Sequence, residues 1–397
     1  MQLHLKSCKS KVFLYTLIIL NELYFLRIDM KIWIVGLPNV WKSTLFNALT
    51  KSYAAPAENF PFCTIEPNVW IVDVKDERVS KLAEMSNSQK IVYAHTEFVD
   101  IAGLVKGASK GEWLGNKFLS HIREVDAIVQ VLRYFKDSDV VHVEGGVDPE
   151  RDREIINTEL IFADLEQVER VLPTLQKRAK VPQNKDDKKV AEALEKIQKV
   201  LLEGKLANTI KDELSEDDLK LIKSYNFLTL KPFVYALNIS QEDIANSESL
   251  KKEFEEKFNA PVAIVCVKLE SEMMNFTKEE RNEFLQELLE IQPWVNIPTL
   301  DDLISLAFNQ LWLMYYFTTG EKETKAWTIP INSTAPQAAW AIHSDFERGF
   351  IKAEVINTEK LLEVWSWVKA REKWLLRLEG KDYIVQDWDV MIFKFNV

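Results

Sequence analysis

Hydrophobic residues along this chain switch between two spacings, and the switches mark its elements. Residues 32–35, Ile-Trp-Ile-Val, form a short apolar run of the kind a buried strand carries. Leu45, Phe46, Ala48 and Leu49 then recur at helical spacing, so the opening reads as strand, loop, helix. Strands are also predicted over 96–100, 233–238 and 262–267, with helices continuing to about residue 312. Between about 150 and 225 the strand signal disappears. Leu160, Ala163, Leu165, Val168, Val171, Leu172 and Leu175 recur mostly every three or four residues, and Pro182 breaks the run. A second helix is expected over about 188–203, which predicts two antiparallel helices. After residue 318 alternation returns at 327–330, 350–356 and 389–395, with helices expected at 336–339 and 359–370. The expectation is an α/β fold in three parts. These are a nucleotide domain over 30–150 and 226–313, a helical insertion over 151–225 and a small mixed unit over 314–397.

Residues 1–29 fit none of these parts. Lys6, Lys9 and Lys11 precede an apolar run at 12–20, a pattern superficially like a signal sequence. The run is too short and interrupted to span a membrane, and no small-residue cleavage site precedes Met30. Because the first strand begins immediately, Met30 is expected to be the true start and the preceding stretch a non-native or disordered leader. A membrane-anchored reading would rest on those residues alone.

The first strand leads into Gly36-Leu-Pro-Asn-Val-Trp41-Lys42-Ser43-Thr44, which has the spacing G-x-x-x-x-[G]-K-S except at position 41. In such a loop the amides of Asn39 to Thr44 wrap the phosphates, Lys42 reaches the β and γ oxygens, and the Ser43 hydroxyl binds Mg²⁺. The second glycine lets the backbone pass against the phosphates without a Cβ. Taken literally, Trp41 fills the phosphate site. The remaining machinery follows in order. Thr64 lies in a loop after the first helix, where a switch hydroxyl meets Mg²⁺, and Asp100-Ile-Ala-Gly103 closes a strand with the D-x-x-G arrangement. There Asp100 holds the metal through water and the Gly103 amide senses the γ-phosphate. Leu104 stands where related enzymes place a water-orienting Gln, so hydrolysis needs another group. Asn238-Ile239-Ser-Gln241 occupies the place of N-K-x-D. A neutral Gln241 cannot offer guanine the charged fork of an Asp, which favours ATP.

Composition changes the picture at one point. Net charge is −11, with 47% hydrophobic and 28% charged residues, so a nucleic-acid-coating surface and a disordered chain are both excluded. Three cysteines without C-x-x-C spacing suggest neither a zinc knuckle nor a disulfide framework. Glycine, however, numbers only 11 in 397 residues, under half of the usual ~7%, while tryptophan reaches 12.

Four stretches resemble the Obg-like ATPase (YchF) family: Gly36-Leu-Pro-Asn-Val, residues 59–68 (NFPFCTIEPN), residues 98–111 (FVDIAGLVKGASKG) and residues 380–387 (GKDYIVQD). The resemblance covers residues 30–397. It implies a cytoplasmic P-loop protein of the translation-factor class that prefers ATP over GTP and associates with ribosomes, with rRNA or tRNA as further candidate partners and no DNA or membrane partner. It also implies a coiled-coil arm and a C-terminal ubiquitin-like TGS domain. The family handles its catalytic water with a histidine, and the matching residue is His142. Its base motif is N-x-x-E. With Gln241 in the last place, the side chain of Asn238 and the backbone of Ile239 are left as adenine readers. The family has glycine at position 41 and at the places of Trp33, Trp70, Trp113, Trp294, Trp312, Trp340, Trp365, Trp374 and Trp388. Ten of the twelve tryptophans therefore stand on glycines, as expected if UGA codons meaning glycine were read as tryptophan. One of them, in Gln386-Asp-Trp388-Asp, is expected in a two-residue hairpin turn, where Asp-Gly is usual.

The leading expectation is a Mg²⁺-dependent ATPase that hydrolyses slowly and acts as a nucleotide switch in translation or stress regulation. The competing one, if Trp41 is genuine, is a nucleotide-independent module that binds ribosomes or RNA. Lys177, Arg178, Lys180, Lys185, Lys188 and Lys189 cluster at the tip of the helical arm. They read equally as a solvated turn or as an RNA-facing patch.

Overall fold

The computed structural model describes residues 30–52, 69–99, 123–136, 146–181, 184–291 and 297–396. Thr64, Asp100, Gly103 and His142 lie outside them, as do Trp113, Trp294 and residues 1–29.

In chain order the strands are β1 (Lys31–Gly36), β2 (Val69–Val74), β3 (Lys90–Val92), β4 (Ala94–Val99), β5 (Ala127–Arg133), β6 (Phe233–Asn238) and β7 (Val262–Val265), then β8 (Leu313–Thr319), β9 (Glu323–Pro330), β10 (Phe350–Asn357), β11 (Arg377–Glu379) and β12 (Asp389–Phe395). The first sheet has the order β2-β4-β1-β5-β6-β7. Strand β1 pairs parallel with both β4 and β5, and only β2 runs antiparallel. Every residue of β5 and β6 is buried, as central parallel strands covered on both faces must be. Helix α1 (Lys42–Ser52) leaves the carboxyl end of β1. Because β4 and β5 flank β1, the loop before α1 opens where successive crossovers diverge, the place where such sheets receive ligands.

Helix α2 (Glu77–Ser86) precedes β3. Helices α3 (Pro149–Ala179) and α4 (Lys185–Leu202) form the arm. They bury Ile161, Val168, Leu172 and Leu175 with Val190, Leu194, Ile197 and Leu201, while Leu160 faces the main core. The arm is anchored at Asp164, whose carboxylate is fully buried. It accepts hydrogen bonds from the Leu228 amide at 3.1 Å, the Thr229 amide at 2.7 Å and the Thr229 hydroxyl at 2.7 Å, and pairs with Arg123 at 3.0 Å. Burial still pushes this carboxyl above the ordinary aspartate range. At the basic tip, Lys188 pairs with Glu192 at 3.7 Å and Lys189 with Asp217 at 3.3 Å, so part of that charge is answered within the arm.

The second sheet runs β11-β10-β12-β8-β9-β3. Its outermost strand, β3, comes from the first half of the chain and pairs parallel with β9, Ile91 opposite Thr324. The C-terminal unit begins at β8, Leu313, where the sequence pattern had suggested no strand. Residues 359–370, expected as one helix, form two. Thr358–Val364 ends at Trp365, and Trp367–Glu372 restarts with the Ser366 hydroxyl accepting from the Lys369 amide. Trp388 sits in a turn closed by the Asp389 amide on Gln386 O at 3.2 Å. This turn is not the expected hairpin, because β11 pairs with β10, and β12 with β10 and β8.

Among the described residues, ten non-glycine residues have positive φ: Asn39, Asn87, Asn226, Asn259 and Asn332, and Trp41, Trp312, Trp365, Trp374 and Trp388. Asparagine tolerates this region, whereas a bulky side chain pays about 1–2 kcal/mol for it. Five such tryptophans would forfeit about 5–10 kcal/mol, comparable with the whole net stability of a domain. The conformations match glycine roles in detail. The Trp374 amide donates to Arg371 O at 3.1 Å and the Leu375 amide to Ala370 O at 3.0 Å, the paired bonds that close a helix on a left-handed glycine. Trp374 is 92% exposed, so no burial offsets the strain. Trp33, Trp70 and Trp340, which match family glycines, and Trp327 and Trp367, which do not, all keep negative φ.

Two stability measurements follow. Trp374→Gly is expected to raise the unfolding free energy by about 1 kcal/mol in a denaturant titration. Asp164→Ala is expected to lower it by about 3 kcal/mol or more, because it strands two buried amides and the Thr229 hydroxyl and removes the carboxylate facing Arg123.

Candidate nucleotide site

The loop between β1 and α1 turns back sharply against β5. A Cβ on Gly36 would come within 2.8 Å of Val131 O and 2.9 Å of Val40 Cγ2, so glycine is required there. Asn39 (φ 64) and Trp41 (φ 65) are both left-handed, and Val40 between them is buried. The Trp41 carbonyl accepts from the Leu45 amide at 2.9 Å and starts the helix. Lys42 donates from Nζ to Gly36 O at 3.4 Å, folding its ammonium back over the loop. Ser43 is exposed in the first turn of α1 and Thr44 is half-buried beside it.

Two side chains from neighbouring strands brace this loop. Asn238, at the end of β6, donates from Nδ2 to Val40 O at 3.1 Å and accepts at Oδ1 from the Val267 amide at 3.1 Å. Arg133, at the end of β5, is buried and donates to Asn39 O at 3.5 Å and Phe135 O at 3.2 Å. The Asn238 side chain and the Ile239 amide, the expected adenine readers, both make bonds within the protein. Asn238 lies beneath the loop and ties it to the start of α7 (helix Val267–Glu272, preceded in the chain by α5, Glu216–Ile222, and α6, Ser247–Phe258). The Ile239 amide donates to Val265 O at 2.9 Å, which leaves only the carbonyl of that residue's backbone for a ligand.

Beside the loop opens a cavity of about 720 Å³ lined by Trp41, Tyr134, Phe135, Ile239, Gln241 and Lys268, among others. It lies next to the β1–α1 loop and against the 239–241 segment. The Trp41 indole packs on the Phe135 ring, with centroids 4.8 Å apart. The indole is therefore turned toward Phe135 and lines this cavity. Tyr134, Phe135 and Lys268 carried no motif that could single them out. Only the strand ends before them, at β5 and β7, mark the crevice in advance.

Cys266, next to this site, is buried, and burial pushes its thiol up to about 11, so it is not a thiolate nucleophile at neutral pH. Among the described residues no group of three or more His, Cys, Asp or Glu could hold a metal. The Ser43 hydroxyl is a hard oxygen donor of the kind Mg²⁺ takes, exposed at the helix start. The other expected donors, Thr64 and Asp100, lie outside the described residues. No helix among the described residues is long and apolar enough to cross a membrane.

Comparison with known proteins agrees with this arrangement. Residues 313–396 match the family described as "YchF-GTPase_C: Protein of unknown function (DUF933)", and residues 31–203 match "MMR_HSR1: 50S ribosome-binding GTPase". The chain is 49% identical over 369 residues to the "Ribosome-binding ATPase YchF" of Pasteurella multocida, covering 92% of this chain and 99% of that one. The protein of the same name from Bacillus subtilis is 48% identical, at 92% and 98% coverage. A solved structure, the YchF GTPase of Schizosaccharomyces pombe, superposes with a TM-score of 0.80 at 37% identity, covering 92% of this chain and 98% of that one. With its phosphate loop, its helical arm and its C-terminal sheet all matched along one continuous alignment, the chain belongs to the YchF family.

Proposed function

We propose that this protein is a ribosome-associated, Mg²⁺-dependent ATPase that acts as a slow nucleotide switch in the cytoplasm, and that residue 41 of the native molecule is glycine. The observation that carries the reading is the left-handed backbone at Trp41, φ 65, beside an intact Lys42-Ser43 and a braced loop. That conformation is the one a phosphate loop needs and the one tryptophan resists. Relatives named ribosome-binding ATPases support the ribosome and ATP assignments, although the yeast relative is named a GTPase.

In this reading Lys42 swings from Gly36 O to the β and γ oxygens, and the loop amides from Asn39 to Thr44 hold the phosphates. Ser43, with Thr64 and Asp100, would hold Mg²⁺, which when bound neutralises charge on the bridging oxygens. Gly103 would report the γ-phosphate through its amide, and His142 would orient the water in place of the absent Gln. Asn238 and Arg133 keep the loop in register, and the pocket beyond Phe135 takes the base. The left-handed tryptophans at 312, 365, 374 and 388 support a shared origin in decoding, since random decay would not choose positions that require glycine. A genuine Trp41 would instead favour the nucleotide-independent ribosome- or RNA-binding module.

Equilibrium titration with ATP separates the two. The Trp41→Gly chain is expected to bind at least about tenfold more tightly than the chain with tryptophan, a difference of about 1.4 kcal/mol. No gain would remove the ATPase reading. In the glycine chain, His142→Ala is expected to slow single-turnover hydrolysis by about 10²-fold or more with ATP affinity unchanged. Equal loss of binding and rate would assign His142 a structural role.

A further inference from the structure

We infer that Arg133 is a positioning residue for the phosphates: its guanidinium draws back the Asn39 carbonyl and so turns the Val40 amide toward the β-phosphate. This role rests on the nucleotide-binding reading of the loop and falls on a residue that no motif marks.

Arg133 ends β5 and stands in register with Asn238, which ends β6. Both side chains reach the loop between β1 and α1, and they take consecutive carbonyls. Arg133 donates to Asn39 O at 3.5 Å and Asn238 to Val40 O at 3.1 Å. The first bond is long, but its donor is a buried cation, where charge strengthens a hydrogen bond and little water screens it. The lysine place of N-K-x-D holds Ile239 in this chain. The cation at the Asn39 carbonyl comes instead from the neighbouring strand.

In a planar trans peptide the C=O of one residue and the N–H of the next point in opposite directions. Drawing the carbonyls of residues 39 and 40 toward β5 and β6 thus turns the amides of residues 40 and 41 away from those strands. Neither amide donates a hydrogen bond among the described residues. The left-handed residues 39 and 41 also alternate with Val40, an arrangement that curls successive amides into an anion-binding nest. Val40 is buried, so its amide is a donor that a phosphate oxygen would satisfy. The competing role for Arg133 is packing. Its guanidinium carbon lies 4.4 Å from the centre of the Phe135 ring, and its Nε donates to Phe135 O at 3.2 Å, contacts that shape the cavity wall. The two roles differ in what they reach: the nest acts on the β-phosphate, whereas the wall acts on every nucleotide alike.

The experiment measures AMP, ADP and ATP binding to the full chain carrying Trp41→Gly, with Arg133→Met and Arg133→Lys added singly. Arg133→Met is expected to weaken ADP and ATP by about tenfold and leave AMP unchanged, since one charge-assisted hydrogen bond is lost and only a β-phosphate feels it. Arg133→Lys keeps a cation near Asn39 O and is expected to recover most of that loss. Equal weakening of all three nucleotides, no weakening of any, or a lysine variant as poor as the methionine one would overturn the proposal while leaving the nucleotide site in place. The Trp41→Gly parent supplies a test that needs no change at Arg133. With its valines labelled with ¹⁵N, the Val40 amide proton is expected to move downfield when ADP is added and to stay in place with AMP. A Val40 amide indifferent to ADP would also overturn the proposal. A parent that binds neither ADP nor ATP would remove the ATPase reading and this inference with it.

Discussion

The site depends on one stretch of backbone. Between β1 and α1 the chain must reverse and begin a helix, and it does so by placing residues 39 and 41 in the left-handed region on either side of a buried Val40. Asparagine meets that demand at position 39. At position 41 the sequence supplies an indole, the largest side chain available, and the backbone adopts the glycine conformation regardless. Three hydrogen bonds from the surrounding structure brace it there. Val40 O is held by Asn238, Asn39 O by Arg133, and the Trp41 carbonyl by the first turn of α1.

The same logic extends through the C-terminal unit. Trp312 follows α9 (Leu300–Gln310, itself preceded by α8, Lys278–Ile291), Trp365 ends one helix, Trp374 ends the next, and Trp388 leads into β12. Each occupies a chain reversal at which a Cβ is a liability. Several indoles have settled into favourable contacts. The Arg78 guanidinium lies 4.1 Å from the Trp388 ring, and Lys211 Nζ lies 4.8 Å from that of Trp312. Such contacts are worth about 0.5–1 kcal/mol at exposed sites, less than the strain they accompany. The interface between the two halves does not rely on them. It is fixed by the β3–β9 pairing and by Asp76, which accepts from Tyr315 at 2.7 Å and from Arg78 Nε at 2.8 Å.

Much of this was legible in the sequence because it is local. The span of β6 coincides with the apolar run at 233–238, and the arm helices follow their three- and four-residue spacing, since burial of a periodic face imposes the period. What escaped is long-range or depends on backbone sign. Lys90–Val92 is too short to announce a partner more than 200 residues away, and no local pattern shows that it completes the C-terminal sheet. The break at Trp365 was hidden because tryptophan reads as an ordinary helix residue, whereas a glycine would have marked the stop. The cavity walls at Tyr134, Phe135 and Lys268 are set by where β5 and β7 end. The motif singles out Asn238, but only the three-dimensional arrangement shows its side chain gripping the Val40 carbonyl and the Val267 amide.

The decisive measurement is the mass of the proteolytic peptide spanning residues 32–42, cut after Lys31 and Lys42 from protein isolated from its own cells. It contains both Trp33 and Trp41. The account predicts a peptide lighter by two tryptophan-to-glycine differences, with fragment ions placing glycine directly before Lys42. Fragment ions that place an intact indole at position 41 would contradict it.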